Sequence, residues 1–307
     1  LSGQVSIRWI ENKMNEYLNK VLKTEEVDYV IASDTDSIYL NLGPLVETVY
    51  KGREKTDESV VTFLNKVCEV ELEPYIESSY EALASYVNAY EQKMVMKREN
   101  IASSGIWTAK KRYILNVWDS EGVRYNEPKL KMMGIEAVKS STPAPCRTAI
   151  KDALKIMMSG TENDLINFID SFKDEFNSLP PEDIAFPRSV NGLRKFKASG
   201  TVYTKGTPLH VRGTLLYNFY VSQKKLEYKY PLVQEGEKIK YLYLRRPNKI
   251  NDNVISFLNT FPKELGLEGQ IDRDAQFKKS FLDPLRIITD VIGWETERVA
   301  NLEFLFA

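Results

Sequence analysis

The chain has 307 residues, enough for two domains with real hydrophobic cores, and its 43% hydrophobic and 28% charged content is that of an ordinary globular protein. No apolar run is long enough to span a bilayer and no stretch has the charged-then-apolar order of a signal peptide, so no membrane partner is expected and a cytoplasmic location is. The net charge of −1 hides a steep asymmetry: residues 1–90 carry 8 Lys/Arg against 16 Asp/Glu, residues 91–151 carry 12 against 6, and residues 186–249 carry 14 against 3, a pattern of basic surfaces facing a polyanion.

Val5, Trp9, Ile10, Met14, Tyr17, Leu18, Val21 and Leu22 recur at helical spacing, so the chain opens inside a helix, as a piece of a longer protein would. VDYVIA (27–32) and SIYLNL (37–42) flank the polar tetrad 33–36 and predict a β-hairpin. A long helix is expected over 57–86, interrupted near Pro74. Residues 91–98, 107–117 and 129–135 read as strands, with Ser120-Glu121-Gly122 as the turn of a second hairpin. After Gly134 the texture changes. Ser/Thr and Pro precede a helix that ends at Gly160, a second covers 162–176 and stops at Leu179-Pro180-Pro181, and another lies within 207–223. Residues 237–246 read as a strand and 270–300 as helix. The expected fold class is α+β: a mostly antiparallel sheet with helices over 1–134, then a mainly helical domain over 135–307.

The chemistry is concentrated at Asp34-Thr35-Asp36-Ser37. Mg²⁺ takes hard oxygen ligands, usually one or two carboxylates plus substrate phosphates, and a hairpin tip presents carboxylates at fixed geometry. An isolated D-x-D is more often turn chemistry than metal ligation. Here both flanks are apolar strands and a basic segment follows. The two cysteines, Cys68 and Cys146, are too isolated for a disulfide framework or a zinc site, and a single histidine, His210, excludes His-clustered metal centres.

YVIASDTDSIYLNL resembles the third polymerase motif of the family B DNA polymerases, the DTD hairpin of the palm. GIWTAKKRYILNVWDSEGVRYNEPKLKMMGIEAVKSSTP (105–143) resembles the palm-to-thumb segment of the T-even-like phage replicative members, and LHVRGTLLYN (209–218) a thumb segment of the same enzymes. The three motifs stand in the family's order. The resemblance implies a palm portion over 1–134 and a thumb over 135–307. It implies that Asp36 binds both of two Mg²⁺ ions, that Asp34 is the accessory acid, and that Glu99 is a further acid near the metals. It implies that Lys110, Lys111, Arg112 and Tyr113 lie along the primer–template duplex. Lysine and arginine suit such a grip, because phosphates and minor-groove acceptors are similar for all base pairs. Lys139, Ser140 and Ser141 match the palm–thumb junction, and His210 and Arg212 are candidate thumb contacts to the DNA backbone. Leu302, Phe304, Leu305 and Phe306 match the apolar terminal peptide that docks on a sliding clamp.

The resemblance further implies that the second metal-bridging aspartate, the lysine that grips the deoxynucleoside triphosphate, and the exonuclease lie upstream of residue 1. An upstream polymerase half is therefore an expected partner, and the chain by itself is expected to be inactive. The alternative reading is a non-catalytic module that binds duplex DNA and a clamp.

Overall fold

The computed structural model describes residues 2–135, 137, 139–198 and 200–298. Helices and strands are mixed and the sheets are antiparallel, an α+β fold as expected. Two compact units are present: one takes in the chain up to Gly105 together with Ile114–Lys131, the other Ile106–Tyr113 with the described residues from Met132 onward. Among the described residues no helix is long and apolar enough to cross a membrane.

In the first unit the opening periodicity becomes α1, Ser2–Leu22, which buries Ile10, Met14 and Leu18. They pack with Tyr29, Val30, Leu72, Ile76, Tyr80 and Leu83 into one core. Each side chain of this size contributes about 1.5–3 kcal/mol on full burial. The hairpin forms as β1, Val30–Asp34, antiparallel to β2, Ser37–Leu40. Helix α2 spans Gly43–Val49 and α3 Asp57–Val67, the latter started by a reciprocal Thr56–Ser59 capping box. The expected interruption near Pro74 is a widening rather than a break: a π turn, Cys68–Leu72, runs straight into α4, Glu73–Tyr86. Proline has no N–H to donate to the preceding turn, and its ring crowds the carbonyl four residues back, so the wider turn relieves both faults.

Residues 91–98 are not a strand. Side chains take the backbone donors that a ladder would need: Gln92 Oε1 accepts from the Met94 amide, and Glu73 Oε1 accepts from the Arg98 amide at 3.0 Å. The next sheet has the order β3-β4-β5, with β3 Asn100–Ala109, β4 Arg112–Ser120 and β5 Val123–Met133. The single strand expected over 107–117 is therefore two strands with a turn at Lys110-Lys111. Lys111 takes φ +59°, which no glycine or asparagine announces. The turn expected at 120–122 is present, with Glu121 at φ +52° and Gly122 at φ +88°, the left-handed pair of a type I′ hairpin.

In the second unit α5, Ala144–Ser159, ends at Gly160, and α6, Glu162–Ser178, begins on a Thr161–Asp164 capping box. Helix α7, Pro181–Ile184, follows. The unit then adds a three-stranded antiparallel sheet, β6 Phe186–Ser189, β7 Lys238–Tyr243 and β8 Val254–Phe257, of which only β7 was expected. Helix α8 is Leu193–Phe196. Helix α9, Leu209–Gln223, lies on β8 so closely that a Cβ at Gly213 would meet Ser256 Oγ at 2.6 Å. Helix α10, Arg273–Phe277, passes through a second π turn, Lys278–Leu282, into α11, Asp283–Ile292. The helical stretch expected to reach residue 300 stops at Gly293, whose φ of +71° caps the helix. Phe172 on α6 packs against Phe281 with ring centroids 4.8 Å apart.

Candidate active site

Asp34 closes β1 opposite Ser37, and Thr35 and Asp36 form the two-residue turn. Thr35 donates its backbone N–H to Asp34 Oδ1 at 2.8 Å and its hydroxyl at 3.3 Å. Asp34 is half-buried and Asp36 is exposed. The base of the hairpin is tied to α1 by two asparagines, a role sequence reasoning missed. Asn15 Oδ1 accepts from the amides of Tyr29 at 2.8 Å and Val30 at 3.2 Å, and Asn19 Oδ1 accepts from the Val27 amide at 3.1 Å. Their i, i+4 spacing on a helix just upstream of a hairpin was the available signal.

Glu99 lies just before β3, its carboxylate 3.9 Å from Lys131 Nζ and largely exposed. Among the described residues no three His, Cys, Asp or Glu side chains gather into a metal-holding group, so Glu99 does not complete such a set with Asp34 and Asp36. The hairpin pair nonetheless has the right chemistry for a hard cation that draws its other ligands from substrate phosphates and water. Beside Glu99, Arg98 spans the unit, donating to buried Asp119 and to Asn65 Oδ1 at 2.5 Å. Burial pushes the Asp119 carboxyl up; hydrogen bonds from Arg98, the Gly122 amide and Arg124 more than reverse this and hold it below its ordinary value.

Lys110 and Lys111 are exposed at the β3–β4 turn, and Arg112 is half-buried. Tyr113 is buried, its ring centroid 6.3 Å from Trp107. Burial is continuous over Tyr113, Ile114 and Leu115 and alternates from there to Ser120. Gly134, at φ +68°, sits against this turn: a Cβ there would lie 2.6 Å from Lys111 O and 2.8 Å from Arg112 Cγ.

Lys139 and Ser140 are exposed, and Ser141 is half-buried. Neither serine caps α5. The N-cap is Pro143, with no side-chain cap bond. A further proline at the second helical position presets the backbone and removes one of the donors a cap would serve. His210 opens α9, partly buried, 6.4 Å from the Tyr241 ring. Burial first, and then the nearby Arg188, hold its pKa below the ordinary value. Arg212 is engaged within the unit: Nε lies 3.2 Å from Asp252 Oδ1, and a terminal nitrogen donates to Asn253 Oδ1 at 2.5 Å. Expected as a backbone contact, it is committed to an internal ion pair. The apolar peptide of Leu302, Phe304, Leu305 and Phe306 lies outside the described residues.

No family model matches the chain. The chain is 35% identical over 316 residues to the DNA-directed DNA polymerase of Enterobacteria phage T4, an alignment covering 99% of this chain and 35% of that protein. To the DNA-directed DNA polymerase of Escherichia phage RB69 it is 36% identical over 317 residues, with the same coverage. It thus spans about a third of the length of the curated relatives it matches, and by identity running through nearly its whole length it is related to the family B DNA polymerases of the T-even phages.

Proposed function

We propose that this chain supplies one part of a template-dependent DNA polymerase: the carboxylate hairpin of the palm and the basic surfaces that hold the primer–template duplex. The observation that carries the reading is the alignment over 99% of the chain to two phage DNA polymerases, together with Asp34 and Asp36 at a hairpin tip that α1 braces. In this reading residues 1–134 are palm and 135–307 are thumb. Asp34 and Asp36 would hold the magnesium ions, with Glu99 an outlying acid. Bound magnesium would supply Lewis-acid stabilisation of charge as the primer 3′-hydroxyl attacks the α-phosphorus and pyrophosphate leaves.

The chain's own residues do the rest by position. The Thr35 bonds fix the Asp34 carboxylate, and the exposed Asp36 faces solvent where a nucleotide would enter. Lys110 and Lys111 offer cations at a turn, which suits contact with phosphates irrespective of sequence. The remaining metal ligands and the triphosphate grip belong, in this proposal, to polymerase segments outside this chain. A sliding clamp remains a proposed partner through residues 302–306.

The test is primer extension by the complete polymerase containing this chain, wild type against Asp36→Ala, on a labelled primer–template with Mg²⁺. Extension should fall by about a thousandfold, the order seen when a stabiliser of developing charge is removed. Duplex affinity should stay within about twofold, because Asp36 makes no packing contact that the fold needs. Undiminished extension would leave only the reading of a non-catalytic DNA-binding module.

A further inference from the structure

The most cationic stretch of the chain contains a fastened loop. Arg194, Lys195, Lys197 and Lys205 are all exposed, and none of them pairs with an acid among the described residues. Four like charges on a short loop repel one another, so the loop needs external ties to hold them together. It has three. At its start, Glu235 accepts from the amides of Gly192 and Leu193, the latter at 2.9 Å, which satisfies the first donors of α8. Across its middle, the Thr204 amide donates to Phe196 O at 3.0 Å. Near its end, the Tyr203 hydroxyl donates to Asp252 Oδ2 at 2.5 Å.

Asp252 is 2% exposed and stands at the centre of this arrangement. It also meets Arg212 at 3.2 Å and Arg246 at 3.6 Å. A buried carboxylate between two guanidinium groups is already compensated. Its further bond to a loop tyrosine therefore adds little that the ion pairs need, and ties the loop to a rigid point. The Arg212 guanidinium also lies 5.7 Å from the Tyr203 ring.

We infer that Asp252, through Tyr203, is a positioning residue that holds the basic loop residues 193–198 and 200–205 in a conformation binding the phosphate backbone of duplex DNA. The inference rests on the DNA-polymerase reading above and adds to it a specific anchor. Backbone phosphates are the occupant because the loop offers lysine and arginine with no accompanying acid. Such a donor set reads charge and not base identity.

The test is fluorescence anisotropy of the whole chain with a labelled primer–template duplex at several salt concentrations. Four proteins are compared: wild type, Tyr203→Phe, the triple Lys195→Ala/Lys197→Ala/Lys205→Ala, and the two combined. Tyr203→Phe removes one hydroxyl and leaves both arginines on Asp252, so thermal unfolding reports whether the variant stays folded. Tyr203→Phe should weaken binding by about three- to tenfold and make the salt dependence shallower, since a loosened loop neutralises fewer phosphates. In the triple background the same substitution should change nothing further. Wild-type binding that Tyr203→Phe leaves unaltered, or an equal loss in both backgrounds, overturns the positioning role while the polymerase reading stands. Absence of any duplex binding by the wild type at low salt overturns the DNA reading itself.

Discussion

A few residues bear consequences out of proportion to their size. Gly134 combines φ +68° with a Cβ position 2.6 Å from Lys111 O. Gly134→Ala therefore meets both backbone strain and a backbone clash, and should cost about 1–3 kcal/mol, read as a lower midpoint in urea unfolding. His210 carries a pH dependence whose sign follows from its surroundings. Its folded pKa lies below the ordinary value because burial and Arg188 disfavour the imidazolium. The unfolded chain then binds the extra proton first, so stability is full above about pH 6.5 and declines as pH falls through the folded pKa. His210→Gln should flatten the stability profile between pH 7 and 5. A wild-type profile with no decline there would contradict the assignment. At this scale the sequence marked Asp34 and Asp36 by their place between two apolar strand-like runs. The burial of Tyr113 and the ion pair of Arg212 were not legible, because a basic or aromatic residue looks the same in a sequence whether it faces solvent or is engaged by a distant carboxylate or ring.

Elements were legible where a period ran long enough. Helix α1 followed from eight apolar residues at helical spacing, and the β4–β5 hairpin from Glu121-Gly122. Strands β6 and β8 are four residues each; one contains Pro187, and the other is buried at every position, so neither shows alternation. The stretch 91–98 centres on the short apolar run Met94-Val95-Met96, yet side-chain acceptors replace the partner strand. The Lys110-Lys111 turn carries none of the residues that usually announce one. Between elements, the tie that governs the first unit is Arg98, which reaches from the start of β3 to Asp119 on β4 and Asn65 on α3. Arg98→Ala leaves Asp119 buried without its main partner and should destabilise the unit by about 3–5 kcal/mol by calorimetry. Asp119→Asn in the same background should recover part of that loss.

Over the whole molecule, charge segregation is the property composition alone conceals. A net of −1 is the sum of an acidic opening, two strongly basic segments and acidic stretches over 152–185 and 250–307. If the basic segments meet DNA, duplex affinity should fall linearly on a log–log plot against salt, with a slope set by the number of phosphates neutralised. Anisotropy between about 50 and 200 mM salt reads that slope, and a flat response would exclude a phosphate-dominated grip. The sequence conveyed this asymmetry fully. It conveyed the α+β class through its motifs, and it left out how acids such as Asp252 and Glu235, far along the chain, anchor the basic loop.

The two π turns share a grammar: Cys68–Leu72 is followed by Glu73-Pro74, and Lys278–Leu282 by Asp283-Pro284. Each inserts one residue more per turn than an α-helix holds, and so rotates everything behind it by about 100°. Ile76, Tyr80 and Leu83 face the core only because of that rotation, as do Leu285 and Ile288 behind the second turn. Each widened turn is thus a phase setting, and a one-residue deletion is better tolerated within either one than elsewhere in the same helix. Losing a single residue there would let the turn close to α pitch and keep the following apolar face on the core, whereas the same loss in a regular turn would rotate that face by about 100°.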